Sequence, residues 1–213
     1  MAQTDRQSDA TIRRLSKYHR TLELARQRGK KTVSSEQIAR DNNLTAAQVR
    51  KDLSYFGAFG RRGLGYNVVT LYESISHLLG LNRPWNVALA GVGNIGRALV
   101  MYDGFRQRGF HIQLLFDDDP KKVGTCFAEM TIHPVSECRK MIPKLEIKIA
   151  ILAVPAYAAQ QVADEIVASG CKAVLNFAPV TLQVPSGVYV RQENMAYEIE
   201  SLSFLLTKER RGG

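Results

Sequence analysis

The sequence predicts an α+β winged-helix domain followed by an α/β Rossmann-type domain with a parallel sheet and a C-terminal helix. Three observations lead to this fold class. Short amphipathic helices and a basic glycine-rich loop occupy the first third of the chain, a glycine motif follows an apolar strand, and strand and helix patterns then alternate. The predicted bounds are residues 1–83 and 84–195 for the two domains and 196–213 for the terminal helix.

The positive charge of the 213-residue chain is concentrated in its first part. Residues 1–83 contain 15 lysines and arginines against 7 aspartates and glutamates, whereas residues 84–213 contain 14 against 13. A basic unit joined to a nearly neutral one indicates a polyanionic partner for the first unit. A basic surface that only keeps the protein soluble is the alternative, and the local motifs decide between the two.

The composition does not indicate a membrane protein, a metal site or a disulfide framework. No apolar run approaches the roughly 20 residues that a bilayer-spanning helix needs, and the polar N-terminus lacks a signal-peptide core, so a cytoplasmic location is expected. Cys126, Cys138 and Cys171 are scattered without CxxC spacing, which predicts reduced, ordinary cysteines. A redox-sensing thiol is the less favoured alternative.

The first unit is predicted to contain a helix-turn-helix. Apolar residues recur at three- and four-residue steps from Thr11 to Arg28, which predicts one helix that Gly29 ends. Ser35 is expected to cap a second helix and Thr45 a third, and in a helix-turn-helix the last of these enters the DNA major groove. The DNA contacts predicted here are Ser34, Ser35, Gln48, Arg50, Lys51, Ser54 and Tyr55, while Val49, Leu53 and Phe56 face the core.

The segment GAFGRRGLGY, which follows the third helix, is predicted to form a β-hairpin wing. Glycines permit a tight turn and a close approach to a sugar-phosphate backbone, and adjacent arginines can neutralise phosphates or enter a minor groove. A solvated hairpin is the alternative. Because the wing, the helix-turn-helix and the charge occur together, DNA binding is favoured, with Arg61, Arg62 and Gly63 as wing contacts.

A glycine motif in the context of a dinucleotide-binding fold opens the second unit. The apolar strand Trp85–Ala90 is followed at once by GVGNIG and then by the helical stretch RALVMYDGFRQRGF. The first glycine of such a motif makes the tight turn, the second lets a pyrophosphate approach, and the third lets the helix pack on the strand. The predicted cofactor contacts are Gly91, Val92, Gly93, Asn94, Ile95 and Gly96.

Asp117 ends the next predicted strand, HIQLLFD, 21 residues after Gly96. This spacing is typical of the carboxylate that binds the adenosine ribose diol. A carboxylate there repels a 2′-phosphate and no arginine follows immediately, so NAD(H) is favoured over NADP(H), although Lys121 and Lys122 are nearby. Lys122 is also predicted to contact the cofactor.

Further strand and helix patterns complete the predicted parallel sheet. The apolar run 147–154, an alanine-rich helix opened by Pro155, and the segment KAVLNFAP repeat the strand-helix-strand order. Ligands bind at the carboxyl ends of such strands, so residues there are expected to surround the nicotinamide, namely Val154, Pro155, Asn176, Phe177 and Pro179. For Asn176, a hydrogen bond to the cofactor and capping of the strand end are equally open.

An amphipathic helix is predicted from Ala196 to Arg210, beyond the sheet. One of its faces carries Ile199, Leu202, Leu205 and Leu206. A terminal apolar helix either docks on its own domain or forms a dimer contact, and the sequence pattern leaves both open.

Eight segments of the chain together resemble the Rex family of bacterial redox-sensing repressors, in the family's order and spacing: KYHRTLELA, VSSEQIA, VRKDLSYFG, RRGLGYNV, WNVALAGVGNIGRAL, FDDDPKKVG, AVPAYAAQ and LNFAPV. The resemblance implies a homodimer with an N-terminal winged helix, a C-terminal Rossmann domain and a last helix exchanged between subunits. It also implies repression of genes of fermentation and anaerobic respiration. Palindromic, double-stranded operator DNA would be released when NADH binds, with NAD⁺ as the competitor.

The resemblance further assigns a relay between nicotinamide and DNA-binding domain to Arg20, to Tyr102 on the helix after the glycine motif, and to Asn194. The family usually has aspartate at the third position. Asparagine there cannot form an ion pair with Arg20 and offers only a neutral hydrogen bond. Taken without the resemblance, Arg20 is a surface charge and Tyr102 a packed aromatic ring.

Two other functions are compatible with the second unit. An NAD-dependent oxidoreductase with an accessory basic domain would use the same cofactor fold. None of the four histidines, His19, His77, His111 and His133, is expected where the carboxyl end of a strand would offer a proton, which disfavours this function. The second is a CoA-binding module, suggested by similarity to the nucleotide domain of acyl-CoA ligases, and a ribose diol bound by Asp117 disfavours a 3′-phosphorylated ligand.

Overall fold

The computed structural model describes residues 9–57, 60–61 and 64–211. The chain divides into two compact units after Arg83, and the segment 196–213 is grouped with the second unit. The predicted wing contacts Arg62 and Gly63 lie outside the described residues, as does the side chain of Arg61. None of the described helices is long and apolar enough to cross a membrane.

The first unit is built from short helices around a small antiparallel sheet. Its elements are α1 (Asp9–Gln27), β1 (Thr32–Val33), α2 (Ser35–Asp41), α3 (Ala46–Ser54), β2 (Gly60–Arg61), β3 (Gly65–Asn67) and α4 (Val68–Leu78). The strands pair in the order β1-β3-β2. Gly65 has a φ of +75°, and a Cβ there would lie 2.6 Å from the Val33 carbonyl oxygen, so glycine is needed for β3 to pair with β1.

One hydrophobic cluster holds the first unit together. The α1 side chains Leu15, Tyr18 and Leu22 are buried in it together with Val49 and Leu53 of α3. The predicted core positions of α3 are thereby confirmed, and Phe56 is partly buried against the same cluster. Neither β1 nor α4 is among the predicted elements. The α4 helix begins because the Asn67 side chain accepts a hydrogen bond from the Thr70 backbone N–H, at 3.0 Å.

The second unit contains a seven-stranded sheet with helices between its strands. The strands are β4 (Trp85–Ala90), β5 (Phe110–Phe116), β6 (Cys126–Phe127), β7 (Met130–His133), β8 (Ile149–Leu152), β9 (Ala173–Asn176) and β10 (Tyr189–Gln192). The helices are α5 (Asn94–Val100), α6 (Asp103–Arg106), α7 (Cys138–Met141), α8 (Ala156–Ala168) and α9 (Met195–Arg211).

The strand order is β10-β9-β8-β4-β5-β7-β6, and every pair is parallel except β6 with β7. The predicted fold class is confirmed. The chain runs outward from β4 to β5 and β7, then returns to the other side of β4 to form β8, β9 and β10. Open parallel sheets bind ligands where the strand order reverses in this way, at the carboxyl ends of β4 and β8.

The central strands β4 and β8 are buried on both faces of the sheet, which explains their nearly continuous apolar sequences. Successive residues of β4 point to opposite sides: Ala88 and Ala90 belong to one buried cluster, whereas Val87 and Leu89 belong to the other. Helix α8 packs Val162 and Ile166 into the first of these clusters.

The helix predicted after the glycine motif is interrupted. Helix α5 ends at Val100, and the chain turns through Met101 and Tyr102 before α6 begins at Asp103. The prediction that Tyr102 lies on the helix after the glycine motif is therefore wrong, because Tyr102 is the residue that precedes α6. Its exposed ring lies edge-on to Phe105, with 5.2 Å between ring centroids.

Helix α9 has large apolar side chains exposed on two sides. At 100° per residue, Met195, Ile199, Leu202 and Leu206 form one stripe, while Tyr197 and Phe204 lie on nearly the opposite side. A helix with this much exposed apolar surface is expected to pack against another protein surface.

Candidate functional site

A cleft of about 900 Å³ lies at the carboxyl ends of β4, β5 and β8. Eight of the predicted cofactor contacts line it, namely Gly91, Gly93, Asn94, Ile95, Asp117, Lys122, Val154 and Pro155. The other five, Val92, Gly96, Asn176, Phe177 and Pro179, are not among its lining residues. The turn from β4 to α5, the loop after β5 and the start of α8 thus form one concave surface.

The three glycines of the motif have different roles. Gly91 has a φ of +95°, and a Cβ there would lie 2.9 Å from Cγ1 of Val154, so the β4–β8 contact needs glycine. A Cβ at Gly96 would collide with the Gly91 carbonyl oxygen. A Cβ at Gly93, in contrast, meets no atom within 4 Å, and its φ of −86° suits any residue. The protein itself does not require glycine at position 93, so the space beside it is available to a ligand.

Asp117 holds the two loops that border this space. Its Oδ2 accepts hydrogen bonds from the Val92 backbone N–H at 2.8 Å and from Lys122 Nζ at 2.9 Å, and its Oδ1 accepts one from the Asp119 backbone N–H at 2.9 Å. Burial raises the pKa of Asp117, but these hydrogen bonds outweigh burial and keep the pKa below its ordinary value. The carboxylate is therefore charged at neutral pH and is nearly buried at the edge of the cleft.

Sequence reasoning missed the apolar wall of the cleft. Val135, Ala158 and Val162 contribute to it, and so does Tyr157, whose side chain is 90% exposed at the start of α8. Only the segment PAYAA, directly after a predicted strand, could have pointed to Tyr157 and Ala158. Val135 lies after β7, and its place in the cleft depends on the order of the strands.

Asn176 is a structural residue rather than a cofactor contact. Its Nδ2 donates to the Val180 carbonyl oxygen at 2.9 Å and to Gln192 Oε1 at 2.7 Å, while its Oδ1 accepts from the Ala178 backbone N–H. Both amide hydrogens are used and the side chain is fully buried, so the predicted cofactor contact is corrected. The alternative that Asn176 caps the end of its strand agrees with these bonds.

The cap of α2 differs from the prediction. Ser34, not Ser35, caps α2, because the Ser34 hydroxyl accepts from the Gln37 backbone N–H at 3.2 Å. Ser35 is the first helical residue, is buried, and accepts a hydrogen bond from Arg50 Nη1 at 3.0 Å. Its hydroxyl is thus engaged within the protein rather than presented to a phosphate. Thr45 caps α3 as predicted, accepting from the Gln48 backbone N–H.

Helix α3 presents a polar surface to solvent. Arg50, Lys51, Ser54 and Tyr55 are exposed in or directly after it. Gln48 is only partly exposed, because its Nε2 donates to Asp52 Oδ1 at 2.7 Å. The exposed basic and aromatic groups are of the kinds that contact DNA phosphates and bases.

The three residues of the predicted relay lie in separate parts of the sequence and of the secondary structure. Arg20 is exposed on α1, Tyr102 is exposed between α5 and α6, and Asn194 precedes α9, where its Oδ1 accepts from the Ala196 backbone N–H at 3.0 Å. The relay stays a prediction.

The described thiols differ in exposure. Cys138 and Cys171 are buried, and burial raises the pKa of Cys138 to about 12 and that of Cys171 to about 11. Cys126 is exposed. Since the thiolate is the reactive form, the two buried cysteines are unreactive at neutral pH. Among the described residues, no group of three or more histidines, cysteines and acidic residues could hold a metal ion.

Comparison with known proteins gives a consistent result for both units. Residues 8–54 match the family model described as "Putative DNA-binding protein N-terminus", and residues 82–180 match the model "CoA binding domain". A redox-sensing transcriptional repressor Rex from Pelotomaculum thermopropionicum is 48% identical over 206 residues, covering 96% of this chain and 97% of its own. The Rex protein of Roseiflexus sp. (strain RS-1) is 45% identical over 201 residues, which cover 94% of this chain and 91% of that protein. The chain belongs to the Rex family.

Solved structures of a Rex protein share this fold over nearly the whole chain. The Rex-family repressor RSP in complex with β-NAD⁺ and operator DNA has a TM-score of 0.90 and 36% identity, covering 95% of this chain and 94% of RSP. RSP in complex with β-NADH has a TM-score of 0.85 and 34% identity, covering 95% of each chain. Rex proteins are transcriptional repressors rather than enzymes, which excludes the oxidoreductase alternative.

Proposed function

We propose that this Rex protein is a cytoplasmic homodimer that binds palindromic operator DNA through its first unit and releases it when NADH occupies the cleft, with NAD⁺ as the competitor. The observation that carries the proposal is the cleft itself. It combines a glycine turn that has open space at Gly93 with a charged, buried Asp117, on a chain whose other unit is a basic winged helix. The complexes of RSP with β-NAD⁺ and operator DNA and with β-NADH support the same pairing of ligands.

The residues of the cleft fit a dinucleotide. The open space at Gly93 is where a pyrophosphate would approach the backbone, and Asp117 can accept a hydrogen bond from a ribose hydroxyl. Lys122 can donate to the same ribose, because its ammonium has three hydrogens and its nearest partners are Asp117 at 2.9 Å and Asp119 at 3.7 Å. The charge of Asp117 opposes a 2′-phosphate, which favours NAD(H) over NADP(H).

The first unit fits a DNA duplex. Helix α3 follows α2 after a short turn, and its exposed Arg50 and Lys51 can contact bases or phosphates. Arg61 and Arg62 are proposed as wing contacts on the basis of the sequence. A homodimer would place two such helices on a palindrome, and the apolar stripes of α9 supply surface for exchange with the partner. Arg20, Tyr102 and Asn194 are proposed to link the nucleotide to the DNA-binding unit.

Gel-shift titration of a palindromic duplex tests this function. Arg50, Lys51 and the wing arginines would neutralise DNA phosphates and so release the counterions bound to the DNA. Raising the salt from about 50 to 200 mM should therefore weaken DNA binding at least a hundredfold. NADH should weaken binding further at constant salt, and added NAD⁺ should reverse that effect. A complex that is insensitive to salt or to NADH would contradict the proposal.

Replacement of Asp117 separates the two activities. Asp117→Ala removes three hydrogen bonds and a charge, so NADH should bind about 10- to 100-fold more weakly while DNA binding without NADH stays within about twofold. Isothermal titration and gel shifts measure the two affinities. Asp117→Asn is the matched variant: it keeps an acceptor but removes the charge, so the preference for NADH over NADPH should narrow. Loss of DNA binding in Asp117→Ala would argue against two independent units.

A further inference from the structure

A buried polar network connects the first helix of the protein to α3. Asp52, on α3, is 1% exposed and accepts four hydrogen bonds from three side chains. Arg14 of α1 binds both carboxylate oxygens, with Nε to Oδ2 at 2.6 Å and Nη2 to Oδ1 at 2.9 Å. The Tyr18 hydroxyl donates to Oδ2 at 2.7 Å, and Gln48 Nε2 donates to Oδ1 at 2.7 Å.

The carboxylate is ionised in the folded protein. Burial raises the pKa of Asp52, but the hydrogen bonds from Arg14, Tyr18 and Gln48 outweigh burial, and the pKa lies below its ordinary value. An ionised carboxylate accepts hydrogen bonds and cannot donate them. Each of its oxygens already accepts two bonds, so the network has no unused acceptor.

This network determines which way the Gln48 amide points. Nε2 must face Asp52, because the opposite orientation would bring Oε1 against a charged acceptor at about the same distance. The amide therefore has Oε1 and one remaining N–H available for other partners. Gln48 lies in the first turn of α3, three residues after the capping Thr45. This is the part of a recognition helix that reaches base edges.

An amide held in this polarity distinguishes the two purines. Adenine offers an N6–H donor and an N7 acceptor in the major groove, which match an amide oxygen and an amide N–H. Guanine offers two acceptors, O6 and N7, and O6 would face the amide oxygen. A freely rotating amide could turn its NH₂ group toward O6, but one that is bonded to Asp52 cannot.

We propose that Asp52 is a specificity-determining positioning residue: it holds the Gln48 amide in the polarity that reads adenine and rejects guanine at one base pair of each operator half-site. The inference rests on the proposed DNA-binding function. It assigns to Asp52 more than an anchoring role, because Arg14 and Tyr18 already attach Asp52 to α1 without Gln48.

The test compares base preferences rather than total affinity. A duplex is first selected from a random pool by the wild-type protein, and each base pair of one half-site is then replaced in turn. Wild type should prefer adenine over guanine at one position by roughly 5- to 150-fold, the range for a bidentate contact. Gln48→Met leaves the hydrogen bonds from Arg14 and Tyr18 to Asp52 intact. This variant should lose the preference for adenine at that position only.

The decisive variant replaces the network with apolar side chains. The combination Arg14→Met, Tyr18→Phe and Asp52→Leu removes the buried carboxylate together with the guanidinium and the phenol hydroxyl that bond to it, which favours a folded protein. Its adenine preference should fall to within about threefold at the Gln48-dependent position, with preferences elsewhere unchanged. Asp52→Asn is the second variant, since asparagine can offer an N–H that permits the flipped amide, and it should reduce the same preference.

The outcomes separate this inference from the proposed function. If folded variants without the Asp52 carboxylate keep the wild-type preference, or if Gln48→Met changes none, the inference is wrong while the repressor function stands. A uniform loss of affinity at all positions would show that Asp52 only anchors α3, and would also overturn it. If wild type selects no duplex from the pool, the proposed function itself fails.

Discussion

Gly93→Val is expected to make a protein that binds DNA but no longer responds to NADH. A Cβ at this position meets no protein atom within 4 Å and needs no unusual φ, and replacing glycine as the N-cap of α5 costs only about 1 kcal/mol, so the protein should stay folded. The valine methyl groups would fill the space in which a pyrophosphate approaches the turn. NADH and NAD⁺ should therefore bind at least a hundredfold more weakly, as measured by calorimetric titration.

The matched control for this variant is Ala98→Val. It adds a branched side chain at an exposed position of α5, the helix that begins after Gly93, and Ala98 is not one of the residues that line the cleft. It should bind NADH as wild type does. In gel shifts, the Gly93→Val complex should persist at NADH concentrations that dissociate the wild-type complex. If Gly93→Val is released by NADH at wild-type concentrations, the glycine turn is not the phosphate site.

Charges on one stripe of α9, in the second unit, should abolish tight DNA binding by the first unit. Leu202→Asp combined with Leu206→Asp places two carboxylates on a stripe that is apolar and exposed in the described chain. Burying those charges against a partner is costly, so the protein should become monomeric. A monomer binds one half-site, and affinity for the palindrome should fall at least a hundredfold, because the second half-site is no longer bound within the same complex.

Analytical ultracentrifugation measures the first effect and gel shifts the second. Thr207→Asp is the control, since it introduces the same group on the polar flank of α9 beside Glu200 and should leave the dimer intact. Circular dichroism should show the sheet of the second unit retained in the double variant, because none of the α9 side chains that the structure describes belongs to the buried clusters of that unit. A double variant that stays dimeric would remove α9 from the dimer interface.

The parts of the fold that the sequence predicts well are those with a strong local signal. Strand β4 has the predicted bounds because an apolar run ends directly at the glycine turn, and α3 begins where Thr45 caps it. Asp117 lies at the cleft because its place after a strand fixes its position at the sheet edge. In each case short-range chemistry and long-range packing favour the same structure.

Predictions failed where neighbouring elements decide the outcome. The choice between Ser34 and Ser35 as the cap depends on Arg50, whose guanidinium binds the Ser35 hydroxyl from another helix. The Asn176 side chain donates to Gln192, which lies on β10, the strand that pairs with β9. Tyr102 falls in a break that no proline marks. Gln48 and Asp52 are four residues apart on one helix, a spacing that the sequence shows, but the burial of Asp52 by Arg14 and Tyr18 of α1 is not visible there.

The two apolar stripes of α9 have a consequence for the cell. In the proposed dimer the partner chain covers the apolar sides of α9, so assembly favours the folded repressor by mass action. The amount of such a dimer falls faster than linearly when the concentration of the protein drops below the dissociation constant of the dimer. Copy number thereby becomes a second input beside the nucleotide pool, and dilution during rapid growth would loosen control of the target genes even at constant redox state.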